Sequence, residues 1–175
     1  NLNNALIRSE IMSLYTHQVT SYKNIAAGKN IVVFTGTASG KSLCYNIPVI
    51  DDLLSDQKKT ALYLFPTKAL SQDQYQKLNS ILGNLPPSID APSIAMYDGD
   101  TPTDARRKIR DRARIVFSNP DMLHAGILPY HMLWDRFFSG LSYVVLDEAH
   151  YYRGVFGSHV ANLIRRMKRI LSHYN

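Results

Sequence analysis

Short runs that are apolar at nearly every position alternate along this chain with longer stretches in which apolar residues recur every three or four positions. The short runs lie at 31–34, 61–65, 93–97, 115–118 and 143–146 and are rich in β-branched and aromatic residues. Such runs predict strands buried on both faces. The longer pattern predicts helices at about 2–13, 18–27, 41–54, 68–82, 103–112, 120–127, 131–138 and 155–171. Buried strands separated by helices argue for an α/β fold, a mostly parallel sheet with helices on both faces. The stretch 83–92 is rich in Pro, Asn and Ser and reads as a loop. There is no internal repeat and no low-complexity segment.

Composition narrows the picture only a little. The 175 residues, 45% of them apolar, suit one domain over 1–175 with a substantial core. No apolar run approaches the ~20 residues of a membrane span, so no membrane partner is expected. Cys44 is the only cysteine. A disulfide and a cysteine-based zinc site are therefore excluded, which fits a reducing compartment. Twenty Lys and Arg against fourteen Asp and Glu leave a net charge of +6, a modest argument for a polyanionic partner. The chain begins Asn1-Leu2 rather than with Met, and it is expected to be a piece of something longer.

Two segments carry chemistry. The run 31–34 leads directly into Thr35-Gly36-Thr37-Ala38-Ser39-Gly40-Lys41-Ser42, a phosphate loop opening a helix. Backbone N–H groups of Ala38, Ser39, Gly40 and Lys41 can converge on phosphate oxygens at a helix N-terminus. Lys41 would reach the β- and γ-phosphates, and the Ser42 hydroxyl would hold Mg²⁺. The eight-residue pattern wants Gly first, where this chain has Thr35. The second segment is Asp147-Glu148-Ala149-His150, placed at the C-terminal end of the run 143–146. Asp147 would hold Mg²⁺, through water because Mg²⁺ dehydrates reluctantly. Glu148 would orient and deprotonate an attacking water. An N-cap Asp followed by an exposed Glu is the plainer reading of the second segment, but it does not account for the phosphate loop upstream. Together they form an apparatus for splitting a nucleoside triphosphate with Mg²⁺.

With both motifs placed, nearly the whole chain resembles the first, RecA-like motor domain of a superfamily 2 nucleic-acid helicase of the DExH branch. Leu14-Tyr15-Thr16-His17-Gln18 resembles the adenine-reading Q motif, with Gln18 pairing the adenine edge and Tyr15 either stacking on the base or packing in the core. The segment from Phe65 to Gln74, including Thr67 and Lys68, resembles motif Ia. Ser118-Asn119-Pro120-Asp121-Met122-Leu123 resembles motif Ib. Within the superfamily, Gly40-Lys41-Ser42-Leu43-Cys44-Tyr45, Asp98-Gly99-Asp100-Thr101-Pro102 and the run from Tyr152 to Asn162 are similar to the bacterial MrfA (YprA) group and its fungal Hrq relatives, which are related to RecQ helicases. The wording of the phosphate loop fits that group.

The resemblance implies an ATP-driven 3′-to-5′ DNA helicase linked to DNA repair. It also implies a second RecA-like domain in the same chain, which would supply the arginine finger, and a zinc cluster that nothing here could form. Location would be cytoplasmic, with the nucleoid, in a bacterium and nuclear in a eukaryote. Since an arginine finger contributes roughly 10³–10⁵ in rate, the 175-residue piece alone is expected to turn ATP over poorly. Its partner would be single-stranded or forked DNA. Thr67, Lys68, Asn119 and Asp121 would contact backbone phosphates, which carry no sequence information. Capping is an equally good reading of Thr67 and Asn119 and is compatible with phosphate contact. His150 would couple the γ-phosphate to the partner domain. The basic clusters at 106–114 and 165–169 read as solvated helix faces, and His124, His131, His159 and His173 as structural. A duplex translocase and an RNA helicase share these motifs. A non-catalytic nucleic-acid clamp is disfavoured by the presence of Lys41, Asp147 and Glu148.

Overall fold

The computed structural model describes residues 2–36 and 39–174. In chain order the elements are α1 (Leu2–Arg8), α2 (Thr16–Ala26), α3 (Lys41–Ser55), β1 (Thr60–Leu64), α4 (Lys68–Gly83), β2 (Ile94–Met96), α5 (Thr103–Arg112) and β3 (Ile115–Ser118). After α6 (Pro120–Met122) come a π-helical turn (Leu123–Ile127), a 3₁₀ segment (Leu128–Trp134), α7 (Asp135–Ser139), β4 (Leu141–Leu146), a 3₁₀ turn (Ala149–Tyr151) and α8 (Gly154–Leu171). They fall into two compact units, Asn1–Gln57 with Gln76–Pro92 and Lys58–Tyr75 with Ser93–Asn175. None of the described helices is long and apolar enough to cross a membrane.

The second unit holds the sheet. Its four strands are ordered β2-β3-β1-β4 and every pairing is parallel, with Leu62 opposite both Val116 and Val144. Alternation along β1 sends Leu62 and Leu64 to one face and Tyr63 and Phe65 to the other. On the first face Leu62, Leu64 and Val116 join Trp134, Phe137, Leu163 and Met167 in one buried cluster, so α7 and α8 cover it. On the other, Phe117 stacks on Tyr63 and Phe65 and meets the edge of Tyr75 from α4. Helices therefore cover both faces, as the apolar runs require. In the first unit α2 lies against α3, and the Tyr22 hydroxyl donates to Asp51 at 2.6 Å.

Several boundaries differ from the sequence expectation. The first helix ends at Arg8, not near 13, because Glu10 takes a left-handed φ of 63° and Ile11 N–H turns back to the Leu6 carbonyl. That is a helix-terminating geometry. The stretches 120–127 and 131–138 are not plain α-helix: the first passes from α to π, and the second is 3₁₀ and then α. The largest correction concerns 31–34. It forms no strand, and Val32 and Phe34 are 95% and 99% exposed. A strand needs a ladder partner, and none of the described residues supplies one. β2 and β4, the two edge strands, are also only partly buried, whereas β1 and β3 are buried throughout.

Candidate functional site

The phosphate-loop half belongs to the first unit. Gly40 precedes α3 at φ +70°, a conformation glycine adopts without penalty. A Cβ there would come 2.6 Å from Gln18 Nε2. The reason is a direct contact: Nε2 donates to the Gly40 carbonyl at 3.0 Å, and Oε1 accepts from Tyr15 N–H at 2.9 Å. Gln18 is only 2% exposed, so its amide braces the loop against the start of α2. The residue before it adds a second brace that the sequence reading missed, with His17 Nε2 3.1 Å from the Ser39 carbonyl. Tyr15 is exposed and stacks on His17 at 5.7 Å, which removes the core-packing alternative for it. The Lys41 ammonium donates to the carbonyls of Thr35 and Gly36 at 3.3 and 3.0 Å. Thr35 and Ser39 hydroxyls bond each other at 2.6 Å. Ser42 sits in the first turn of α3. Thr37 and Ala38, both expected to touch phosphate, lie outside the described residues. Cys44 is buried, and burial pushes its thiol pKa up, which fits a packing role.

The acidic half belongs to the second unit. β4 ends at Leu146, and Asp147 N–H donates to the Leu64 carbonyl at 3.1 Å, one residue beyond the ladder. Asp147 Oδ1 accepts from Glu148 N–H at 2.8 Å. Glu148 itself is left-handed, φ 49° and ψ 44°. A non-glycine residue there costs about 1–2 kcal/mol, and such strain concentrates at functional sites. The bend turns the 30%-exposed Glu148 side chain towards His150, whose Nδ1 is 3.1 Å from Glu148 Oε2. His150 thus holds the proposed base directly, a contact the spacing Glu-x-His allows but does not announce. Further on, the Tyr152 hydroxyl reaches the same Leu64 carbonyl at 3.5 Å. Burial, and then the Asp147 charge, raise the Tyr152 pKa to about 12, so the phenol keeps its proton.

The proposed nucleic-acid residues open helices after β1 and β3 in the same unit. Thr67 Oγ1 accepts from Leu70 N–H at 3.3 Å and caps α4. Asn119 Oδ1 accepts from Met122 N–H at 2.8 Å, with Pro120 in the first helical turn. Asp121 follows in that turn. Lys68 is not turned to solvent alone. It pairs with Asp100, and Asp98 Oδ2 lies 4.0 Å away. Sequence reading quoted Asp98-Gly99-Asp100 only as subfamily wording and missed this pairing. Asp98 is fixed in turn, its Oδ1 accepting from Asp100 N–H at 3.0 Å and from the Thr101 hydroxyl at 3.2 Å.

A parallel sheet with an acidic pair at a strand end in one unit, and a braced Gly-Lys-Ser helix start in the other, are features of the P-loop nucleotide-binding class. The DEAD/DEAH box helicase family model matches residues 15–174, and the chain belongs to that family. It is 52% identical over 170 residues to the Bacillus subtilis protein described as the uncharacterized ATP-dependent helicase YprA, covering 97% of this chain and 22% of that protein. It is 45% identical to the Schizosaccharomyces pombe ATP-dependent helicase hrq1, covering 99% of this chain and 16% of that one. Among solved structures, the DUF1998 helicase MrfA bound to DNA and AMPPNP superposes with a TM-score of 0.94 at 51% identity, over 99% of this chain and 24% of that chain. The DEAD-box helicase Mss116 bound to single-stranded RNA superposes at 0.81 with 22% identity, over 96% of this chain and 34% of that one, which supports the fold alone. The fold is RecA-like, as expected. The chain spans about a fifth of the length of its curated relatives.

Proposed function

We propose that this chain is the ATP-binding half of the motor of an ATP-driven DNA helicase. The observation that carries the reading is the acidic strand end: Asp147 anchored on the Leu64 carbonyl, and Glu148 bent into a left-handed conformation against His150. Lys41 and the N–H groups opening α3 bind the phosphates of ATP, and Gln18 acts on the nucleotide through its bond to Gly40. Tyr15, exposed and stacked on His17, offers a ring face to the adenine.

The donor set fits Mg²⁺. The described residues contain no cluster of three or more His, Cys, Asp or Glu side chains able to cage a metal ion. Mg²⁺ needs none, since it takes one or two protein oxygens and completes its shell with water and phosphate. Asp147 in one unit and the Ser42 hydroxyl in the other are each an oxygen donor of the kind that would hold it, and the ion would supply neutralisation of phosphoryl charge. Glu148 orients a water and accepts its proton, while His150 fixes the Glu148 carboxylate.

The DNA substrate, the 3′-to-5′ direction and the repair setting are extended to this chain from the MrfA and Hrq resemblance. Thr67, Lys68, Asn119 and Asp121 would track the strand through its phosphates, and a second RecA-like domain would complete the motor. The test is unwinding by the full-length protein on forked duplexes of DNA and of RNA, with 3′ or 5′ single-stranded tails. ATP-dependent unwinding of 3′-tailed DNA is expected. Unwinding of RNA alone would replace the substrate, and ATP turnover without strand separation would make the protein a translocase.

A further inference from the structure

The segment Tyr152-Arg153-Gly154-Val155-Phe156-Gly157 marks the subfamily but has no part in the chemistry above. Its tyrosine is tied to both functional edges of the second unit. The Leu64 carbonyl has two lone pairs, and it accepts from Asp147 N–H at 3.1 Å and from the Tyr152 hydroxyl at 3.5 Å. The other end of the same peptide unit, Phe65 N–H, donates to the Ser118 carbonyl at 3.0 Å, immediately before Asn119. The Ser118 hydroxyl donates to the Tyr97 carbonyl at 2.7 Å, immediately before Asp98. The Leu64–Phe65 peptide thus links the acidic pair, the Thr67–Lys68 helix start, the Asn119 cap and the Asp98 turn.

Tyr152 is held in place for this contact. Its ring packs on Phe156 with centroids 5.6 Å apart. Gly157 lies so close beneath it that a Cβ there would sit 2.5 Å from the Tyr152 carbonyl oxygen. Position 157 therefore accepts only glycine while the Tyr152 carbonyl stays where it is. A displacement of the Leu64–Phe65 peptide, produced by phosphate contact at Lys68 or Asn119, must pull against the phenol and against Asp147 N–H together.

We propose that Tyr152 is a positioning residue that couples nucleic-acid binding to ATP turnover, through its hydroxyl on the Leu64 carbonyl. The proposal rests on the helicase reading above. Its test compares the full-length wild type with Tyr152→Phe, which keeps the ring and removes only the hydroxyl. ATP turnover is measured with and without single-stranded DNA, alongside the thermal midpoint. At 3.5 Å the contact is long for O–H···O, and the weak end of a net hydrogen bond corresponds to about 2–3-fold, so the ratio of stimulated to unstimulated kcat should fall by that factor. The KM for ATP and the half-stimulating DNA concentration should each change less than about twofold, because the proposed role acts through the Leu64 carbonyl and not through contact with either ligand.

A double-mutant cycle with Lys68→Ala separates coupling from packing. If Tyr152 transmits what Lys68 senses, Tyr152→Phe should lower the ratio much less in the Lys68→Ala background. Independent, additive losses would overturn the proposal. So would an unchanged ratio, including the case in which both rates and the thermal midpoint fall together. A raised half-stimulating DNA concentration at constant ratio would make Tyr152 a DNA contact instead. Wild-type turnover indifferent to DNA would remove the helicase reading itself.

Discussion

Two lysines that open helices after strand-like runs are held in opposite ways. Lys41, in the phosphate loop, rests on the neutral carbonyls of Thr35 and Gly36. Lys68, at the start of α4, rests on the carboxylate of Asp100 with that of Asp98 beside it. Both ammonium groups are candidates for phosphate. A polyphosphate carries several negative charges, so it displaces two carbonyl dipoles from Lys41 at little cost. A nucleic-acid phosphate with one charge must outcompete a carboxylate of equal charge for Lys68. On the proposed roles, Lys41 is poised for a nucleotide, whereas Lys68 begins from a self-made ion pair that opposes binding.

The harshest test of the contrast is Lys41→Ala in the full-length protein. Removing one preorganised donor to developing negative charge costs about 2.7–4 kcal/mol at a transition state. Turnover should fall by at least about 10²–10³-fold and ATP affinity should weaken; a phosphate-release assay checks the first and a nucleotide titration the second. Equal titration curves for the two proteins would sink the assignment. Glu148→Gln comes next. It should lower turnover by about 10²-fold while leaving ATP affinity within a few-fold, because a base acts in the transition state rather than in binding. A collapse of Mg²⁺-ATP affinity with turnover retained would make Glu148 a metal ligand.

The smaller effects fall on Lys68. Lys68→Ala should weaken binding to unrelated single strands about equally and flatten the salt slope by roughly one unit. A changed preference between two sequences, at constant slope, would mean that Lys68 reads bases. Asp100→Asn is the sharpest probe of the contrast between the two lysines. Exposed ion pairs are worth about 0.2–1 kcal/mol, so removing this one should tighten single-strand binding by only about 1.5–5-fold. Weaker binding by Asp100→Asn would show that the carboxylate orients Lys68 for phosphate instead of competing with it.

The candidate chemistry could be proposed from the sequence because it is written in contiguous residues. Gly40-Lys41-Ser42 and Asp147-Glu148-Ala149-His150 carry their donors within a few positions of one another. The caps at Thr67 and Asn119 are equally local, each side chain reaching an N–H three residues on. The apolar runs of β1, β3 and β4 were legible for the same reason, since full or partial burial demands apolar residues wherever a strand ends up. What sequence alone determined about this protein is thus its family and its α/β class, and it supplied the candidate residues for the chemistry. Tertiary structure decided the rest, because each remaining feature depends on a partner distant in the chain. The run 31–34 has a strand's composition but finds no ladder partner among the described residues. Lys68 meets carboxylates about thirty positions away, and Tyr152 finds its acceptor on Leu64, 88 residues earlier. Glu148 adopts its left-handed bend where Asp147 is pinned to the adjacent strand, a constraint that no local propensity of Asp-Glu-Ala-His contains.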